Sequence, residues 1–160
     1  MPDASFRLAA LILAASAPWA ALAEGAARVT AVATGSFTVT MTPLAEADTA
    51  EGVSLGRMSL DKRFEGDLVA VGRGEMLTAL TPQKGSAGYV AIERVTGTLH
   101  GRAGGFVFQH TGTMDQGAQS LSITVVPGSG SGALAGLAGS FRIEIGDGRH
   151  LYRFEYSLPP

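Results

Sequence analysis

Polar and apolar positions alternate along most of the chain after residue 28. Val-Thr-Ala-Val from Val29, Phe106-Val107-Phe108-Gln109-His110-Thr111 and Leu121-Ser122-Ile123-Thr124-Val125 show the period of two. Such a period puts successive side chains on opposite faces of a strand, and Gly, Pro and Asp clusters break the runs as turns do. No helix-length apolar period follows residue 23. The pattern predicts eight strands, near 29–41, 55–65, 67–79, 87–100, 105–115, 118–127, 139–146 and 149–157. A polar, acidic loop is expected from Pro43 to Gly52. Long antiparallel strands in sequence order with tight turns favour an eight-stranded up-and-down barrel, which removes exposed edges. A two-sheet sandwich would show shorter strands and longer crossing connections.

The first 23 residues follow another rule. Arg7 precedes the apolar run LAALILAASAPWAALA, which ends Ala21-Leu22-Ala23. A basic start, a short apolar core and a small-residue end mark a secretory signal peptide. The run is shorter than the roughly 20 residues a membrane-spanning helix needs. The expected organisation is a signal peptide over 1–23, cleaved before Glu24, and one barrel domain over 24–160. The predicted location is periplasmic or secreted, with no membrane attachment after processing.

Composition narrows the chemistry. The formal net charge is −2 and no Lys/Arg cluster stands out. That balance offers no electrostatic case for nucleic acid. Cysteine is absent, which excludes disulfides, zinc thiolates and cysteine nucleophiles. Asparagine is absent too, so the 22 glycines must supply most positive-φ turns. The run from Gly128 to Gly139 is too glycine-dense for a helix. It is expected to reverse the chain and pack Leu134 and Leu137 against a barrel end.

Lys62-Arg63-Phe64-Glu65-Gly66-Asp67-Leu68, Glu93-Arg94-Val95-Thr96-Gly97-Thr98-Leu99, Phe106 through Thr113 and Val125-Val126-Pro127-Gly128-Ser129-Gly130 occur in that order. This series resembles the bacterial family of unknown function numbered 3224. That family is similar to the barrels typified by plant allene oxide cyclase and the dirigent proteins, whose glycine corner the 128–139 run resembles. The resemblance implies an all-β, eight-stranded antiparallel barrel, often assembled into oligomers. It implies no activity.

The candidate site lies on the hairpin around Gly101–Gly104. With an even loop, residues whose numbers sum to about 205 pair, so Val95 faces His110 and Glu93 lies one pair further on the same face. Phe108 and Gly97 share that face, while Gln109 and Arg94 share the other. A carboxylate beside an imidazole in a barrel lumen can serve as an acid/base pair or hold a polar group. A structural hydrogen bond is the simpler alternative. Glu75 would join only by pointing inward toward Glu93, where two carboxylates would perturb one another. The expected ligand-binding set is therefore Glu93, His110, Phe108, Glu75, Gln109 and Arg94. His100, His110 and His150 show no metal-binding spacing, so no metal or cofactor is expected, and His100 and His150 read as solvated. Gly128-Ser129-Gly130-Ser131-Gly132-Ala133 lacks the following helix a dinucleotide fingerprint needs. No G-x-S-x-G elbow occurs.

Strands 105–108 and 121–126 read as apolar on both faces, which predicts a homo-oligomer through an outer apolar surface. The expected function is a binding module for a small apolar molecule. The alternatives are an isomerase or cyclase acting inside the barrel, and an interaction barrel with a packed lumen.

Overall fold

A computed structural model of the chain describes residues 28–160. The predicted signal peptide and its cleavage site lie outside these residues. The strands in order are β1 (Val29–Pro43), β2 (Asp48–Ala50), β3 (Val53–Gly66), β4 (Leu68–Leu80) and β5 (Ala87–Leu99), followed by β6 (Arg102–Asp115), β7 (Ala118–Val125), β8 (Ser131–Gly132), β9 (Ala138–Gly146) and β10 (Arg149–Leu158). The eight long ones match the predicted eight. Two short strands were not expected. β2 lies in the acidic loop and pairs with β3, and β8 lies in the glycine corner and pairs with β6.

The sheet runs β1-β10-β9-β7-β6-β5-β4-β3, and β1 also pairs with β3, closing an antiparallel barrel. Period-two alternation then decides what lies inside. Phe37, Phe64, Phe106, Phe108, Phe141, Tyr152, Phe154 and Tyr156 fill the lower lumen as one aromatic core. Their rings meet at centroid distances such as 4.9 Å for Phe106–Phe108 and 5.0 Å for Phe108–Phe141. As expected, Leu134 and Leu137 from the glycine corner are buried and plug the lower end.

The upper end is incomplete on one side. β1 pairs with β10 only as far as Phe37↔His150, so its last six residues have no partner on that edge. β7 meets β9 through the single pair Thr124↔Ser140. A notch therefore opens in the upper wall. Met41, Leu121 and Ile145 stand in phase with the inner faces of their strands, yet are 50%, 44% and 70% exposed around it.

The two-faced reading of 105–108 and 121–126 is corrected. Phe106, Phe108, Ile123 and Val125 point inward and are buried, whereas Ser122 and Thr124 face out. Val107 and Val126 are the apolar residues in the outer phase there, and both are half-buried. The exposed outer hydrophobics lie instead on β3–β5: Leu55, Val69, Val71, Leu77, Val90 and Ile92.

Candidate functional site

The β5–β6 hairpin turns tighter than the sequence suggested. His100 and Gly101 both take positive φ, at 46° and 77°, making a two-residue turn in which Leu99 pairs with Arg102. That geometry suits the right-handed twist of the flanking strands. Ala91 therefore faces His110, and Glu93 faces Phe108. The predicted register is wrong by four residues. Four is even, so every side chain keeps its face, and Glu93, His110 and Phe108 all point into the lumen as expected.

Glu93 and His110 touch. Glu93 is fully buried and His110 is 3% exposed. His110 Nε2 lies 3.0 Å from Glu93 Oε2. The contact is close but not an aligned hydrogen bond, and neither His110 Nε2 nor Glu93 Oε1 has a hydrogen-bond partner. Phe108 packs edge-on beneath the imidazole at 6.2 Å.

The third member of the cluster is Lys62, absent from the predicted set. Its Nζ donates to the same Glu93 Oε2 at 2.8 Å and lies 5.1 Å from the Phe37 ring centroid and 5.8 Å from that of Phe64. The signal was present in the sequence. Leu60, Lys62 and Phe64 share one phase on β3, so the lysine belongs with the two buried apolar residues. Burial pushes the Glu93 carboxyl up, but the His110 and Lys62 contacts outweigh it and hold the group below its ordinary value of 4.5.

Gly72 on β4 makes room for this carboxylate. A Cβ at Gly72 would stand only 2.0 Å from Glu93 Oε1. Above the cluster, the Tyr89 ring lies across Gly112, where a Cβ would meet its Cε1 at 2.2 Å. Burial, and secondarily the Glu93 charge, push the Tyr89 phenol up.

Over Tyr89 the lumen stays unfilled. A cavity of about 340 Å³ is bordered by Met76, Thr78, Tyr89, Gly112, Met114 and Leu121. The other three predicted residues lie elsewhere. Glu75, Gln109 and Arg94 point outward and line an open hollow of about 850 Å³ on the outer wall. Glu75 pairs there with Arg57 at 2.7 Å, so it does not approach Glu93. Strand phase places all three away from the lumen.

His100 stays exposed, as expected, whereas His150 is half-buried. His150 stacks on Phe37 at 5.0 Å. His100 Nδ1 lies 2.7 Å from the Tyr156 hydroxyl and its Nε2 lies 3.6 Å from Asp67. Asp67 also accepts from the Thr34 amide at 2.8 Å, and this bond is the first cause of its lowered pKa. The group ties the β3–β4 and β5–β6 turns to β1 and β10 at the closed end. Among the described residues, no three His, Asp or Glu side chains stand close enough to hold a metal ion.

Comparison with known proteins places this barrel. The model of the family "Protein of unknown function (DUF3224)" matches residues 33–156. A crystal structure of a protein of unknown function from the DUF3224 family of Shewanella oneidensis MR-1 is 50% identical, covering 82% of this chain and 100% of that one, with a TM-score of 0.77. No curated protein matches the chain. The chain belongs to the DUF3224 family.

Proposed function

We propose that this DUF3224 barrel is an exported binding module that holds a small, largely apolar molecule in its open end. The observation that carries the reading is the unfilled upper lumen. Met76, Tyr89, Met114 and Leu121 border a cavity of about 340 Å³ directly above a packed aromatic core. That size lies within the roughly 300–1,000 Å³ usual for small-ligand pockets, and such pockets pair an apolar lining with a few polar groups. Here the polar groups on the lining include Thr78 and Tyr89, while the Lys62–Glu93–His110 cluster is buried below the cavity and does not border it. The packed lower lumen limits a ligand to the open end, and the notch between β1 and β7 gives it a way in.

A neutral naphthylamine dye, dark in water and bright in apolar surroundings, tests this. Titration should give saturable fluorescence with one dye per chain. Leu121→Glu puts a charge at a position already 44% exposed, so the fold should hold while affinity falls by about tenfold, or 1.4 kcal/mol. Absence of saturation, or unchanged affinity in Leu121→Glu, overturns the reading.

The isomerase or cyclase reading draws support from the 3.0 Å Glu93–His110 contact, a carboxylate beside an imidazole. Glu93 and His110 are both buried and neither borders the cavity, so on this reading the upper lumen must open further before either meets a substrate. We propose further that the chain self-associates, now through the apolar outer face of β3–β5.

A further inference from the structure

The β9–β10 hairpin is built as barrel wall but is paired as wall on one side only. β9 pairs with β10 along its length, from Ala138↔Ser157 to Gly146↔Arg149, and a two-residue turn at Asp147 and Gly148 joins them. β10 pairs with β1 up to Phe37↔His150, where the two rings stack. On the far side β9 meets β7 through Thr124↔Ser140 alone. Beyond that pair the strands part, and β7 from Ala118 to Ile123 and β9 from Phe141 to Gly146 each keep an edge with no strand partner.

The parted edges fit a ladder that stops after one pair. Continuing the Thr124↔Ser140 register would set Ile123 opposite Phe141, Ser122 opposite Arg142, Leu121 opposite Ile143 and Ser120 opposite Glu144. Inner-phase apolar residues would meet one another, and outer-phase polar residues would do the same. A slip of one residue would mix them throughout. β7 holds no charged residue, so Arg142 and Glu144 would face no like charge across the join. β7 also holds no proline, and an uncharged edge of this kind is one that proteins normally cover.

The same closure would cover the open end. Leu121 borders the cavity, and Ile143 and Ile145 stand in the inward phase of β9, although Ile145 is exposed. Zipped onto β7, Ile143 would lie beside Leu121 and Ile145 diagonal to it, within reach of an apolar side chain. A ligand in the cavity would then touch a wall of Leu121, Ile143 and Ile145 that the parted edges do not form. That is the differential contact a ligand needs in order to favour one state of a two-state element.

We propose that the β9–β10 hairpin is a lid: parted from β7 it leaves the notch as an entrance, and with an apolar molecule in the cavity it zips onto β7 in the Thr124↔Ser140 register. The inference rests on the reading of the open end as a binding site and adds how that site shuts.

The test is a cysteine pair across the join, in a chain that has no cysteine of its own. Ser120→Cys/Glu144→Cys is in register, and both positions are exposed and in the outer phase. Ser122→Cys/Arg142→Cys is a second in-register pair should the first fail to fold. Ser122→Cys/Glu144→Cys joins the same two strands out of register, and a merely loose hairpin would cross-link it as readily. With oxidised glutathione an in-register pair should form a disulfide within the chain, and the naphthylamine dye should speed it by about fivefold or more, the lower end of the usual coupling between a ligand and a second element. Oxidised with dye inside, that chain should release it about tenfold more slowly than when reduced. No disulfide in either in-register pair, equal yield from the out-of-register pair, a disulfide between chains rather than within one, a rate indifferent to bound dye, or release unchanged by oxidation would each overturn the lid. Dye that fails to bind the reduced chain would sink the ligand reading instead, and the disulfide register would still decide whether the edges zip.

Discussion

Replacing Lys62 by methionine removes the cation from the buried cluster while keeping the length and most of the volume of the side chain. Glu93 would then be a fully buried carboxylate facing only His110 through a misaligned contact. Breaking a buried pair by removing one partner costs about 3–5 kcal/mol, because the remaining charge is uncompensated. Glu93→Gln takes away the charge instead. Lys62, itself buried, keeps the amide oxygen of the glutamine as an acceptor and two aromatic rings nearby, so this change should cost less, about 1–3 kcal/mol. In the double variant Lys62→Met/Glu93→Gln neither charge is stranded. Its cost should fall below the sum of the two, giving a coupling energy within the roughly 0.5–3 kcal/mol found for residues in direct contact.

Urea unfolding followed by far-ultraviolet circular dichroism reads all four chains. The pH dependence supplies an independent check. The folded Glu93 carboxyl sits below its ordinary value, so it binds its proton less readily than in the unfolded chain. Its stabilisation is full above the unfolded value and is lost as pH falls through the folded one. Wild-type stability should therefore drop below about pH 4.5, and the drop should be smaller in Glu93→Gln, which has no carboxyl at this position. A Lys62→Met cost under about 1 kcal/mol, the range of an exposed pair, together with additive single costs, would refute the account of the cluster.

Two other outcomes are expected. The exported chain should begin at Glu24 and so lack Trp19, the sole tryptophan; its emission should be that of tyrosine alone, and tryptophan emission from the exported form would contradict cleavage there. Sedimentation should show an oligomer at tens of micromolar that Ile92→Glu, on the 54% exposed outer face, shifts toward monomer. A wild-type chain that is already monomeric would remove the self-association proposal.

The barrel was legible because each long strand carries its own phase. Glu93 and His110 were found on one face even though the register was misread, since the error came from assigning the turn to Gly101–Gly104 when it sits at His100–Gly101. A histidine at positive φ gives no warning in the sequence. Lys62 is readable from its phase with Leu60 and Phe64, although lysine usually belongs to the outer wall. Glu75, Gln109 and Arg94 were nominated by chemistry against their own strand phase, and phase prevailed. The notch was not legible at all. It depends on where β10 stops pairing with β1 and on how β7 and β9 part, and alternation within a strand carries no information about its neighbour.

Gly72 carries an imprint of a residue 21 positions later in the chain. Its missing side chain is the space into which the Glu93 carboxylate fits, with Oε1 at 2.0 Å from where a Cβ would stand. The two positions are therefore not free to drift separately over evolutionary time. A lineage that gained alanine at 72 would have to shorten or lose the acid at 93 first, and one that lost the acid would open a void that alanine could fill. Across the family, the pair should change together, and the order of the two changes along any branch should be acid before glycine.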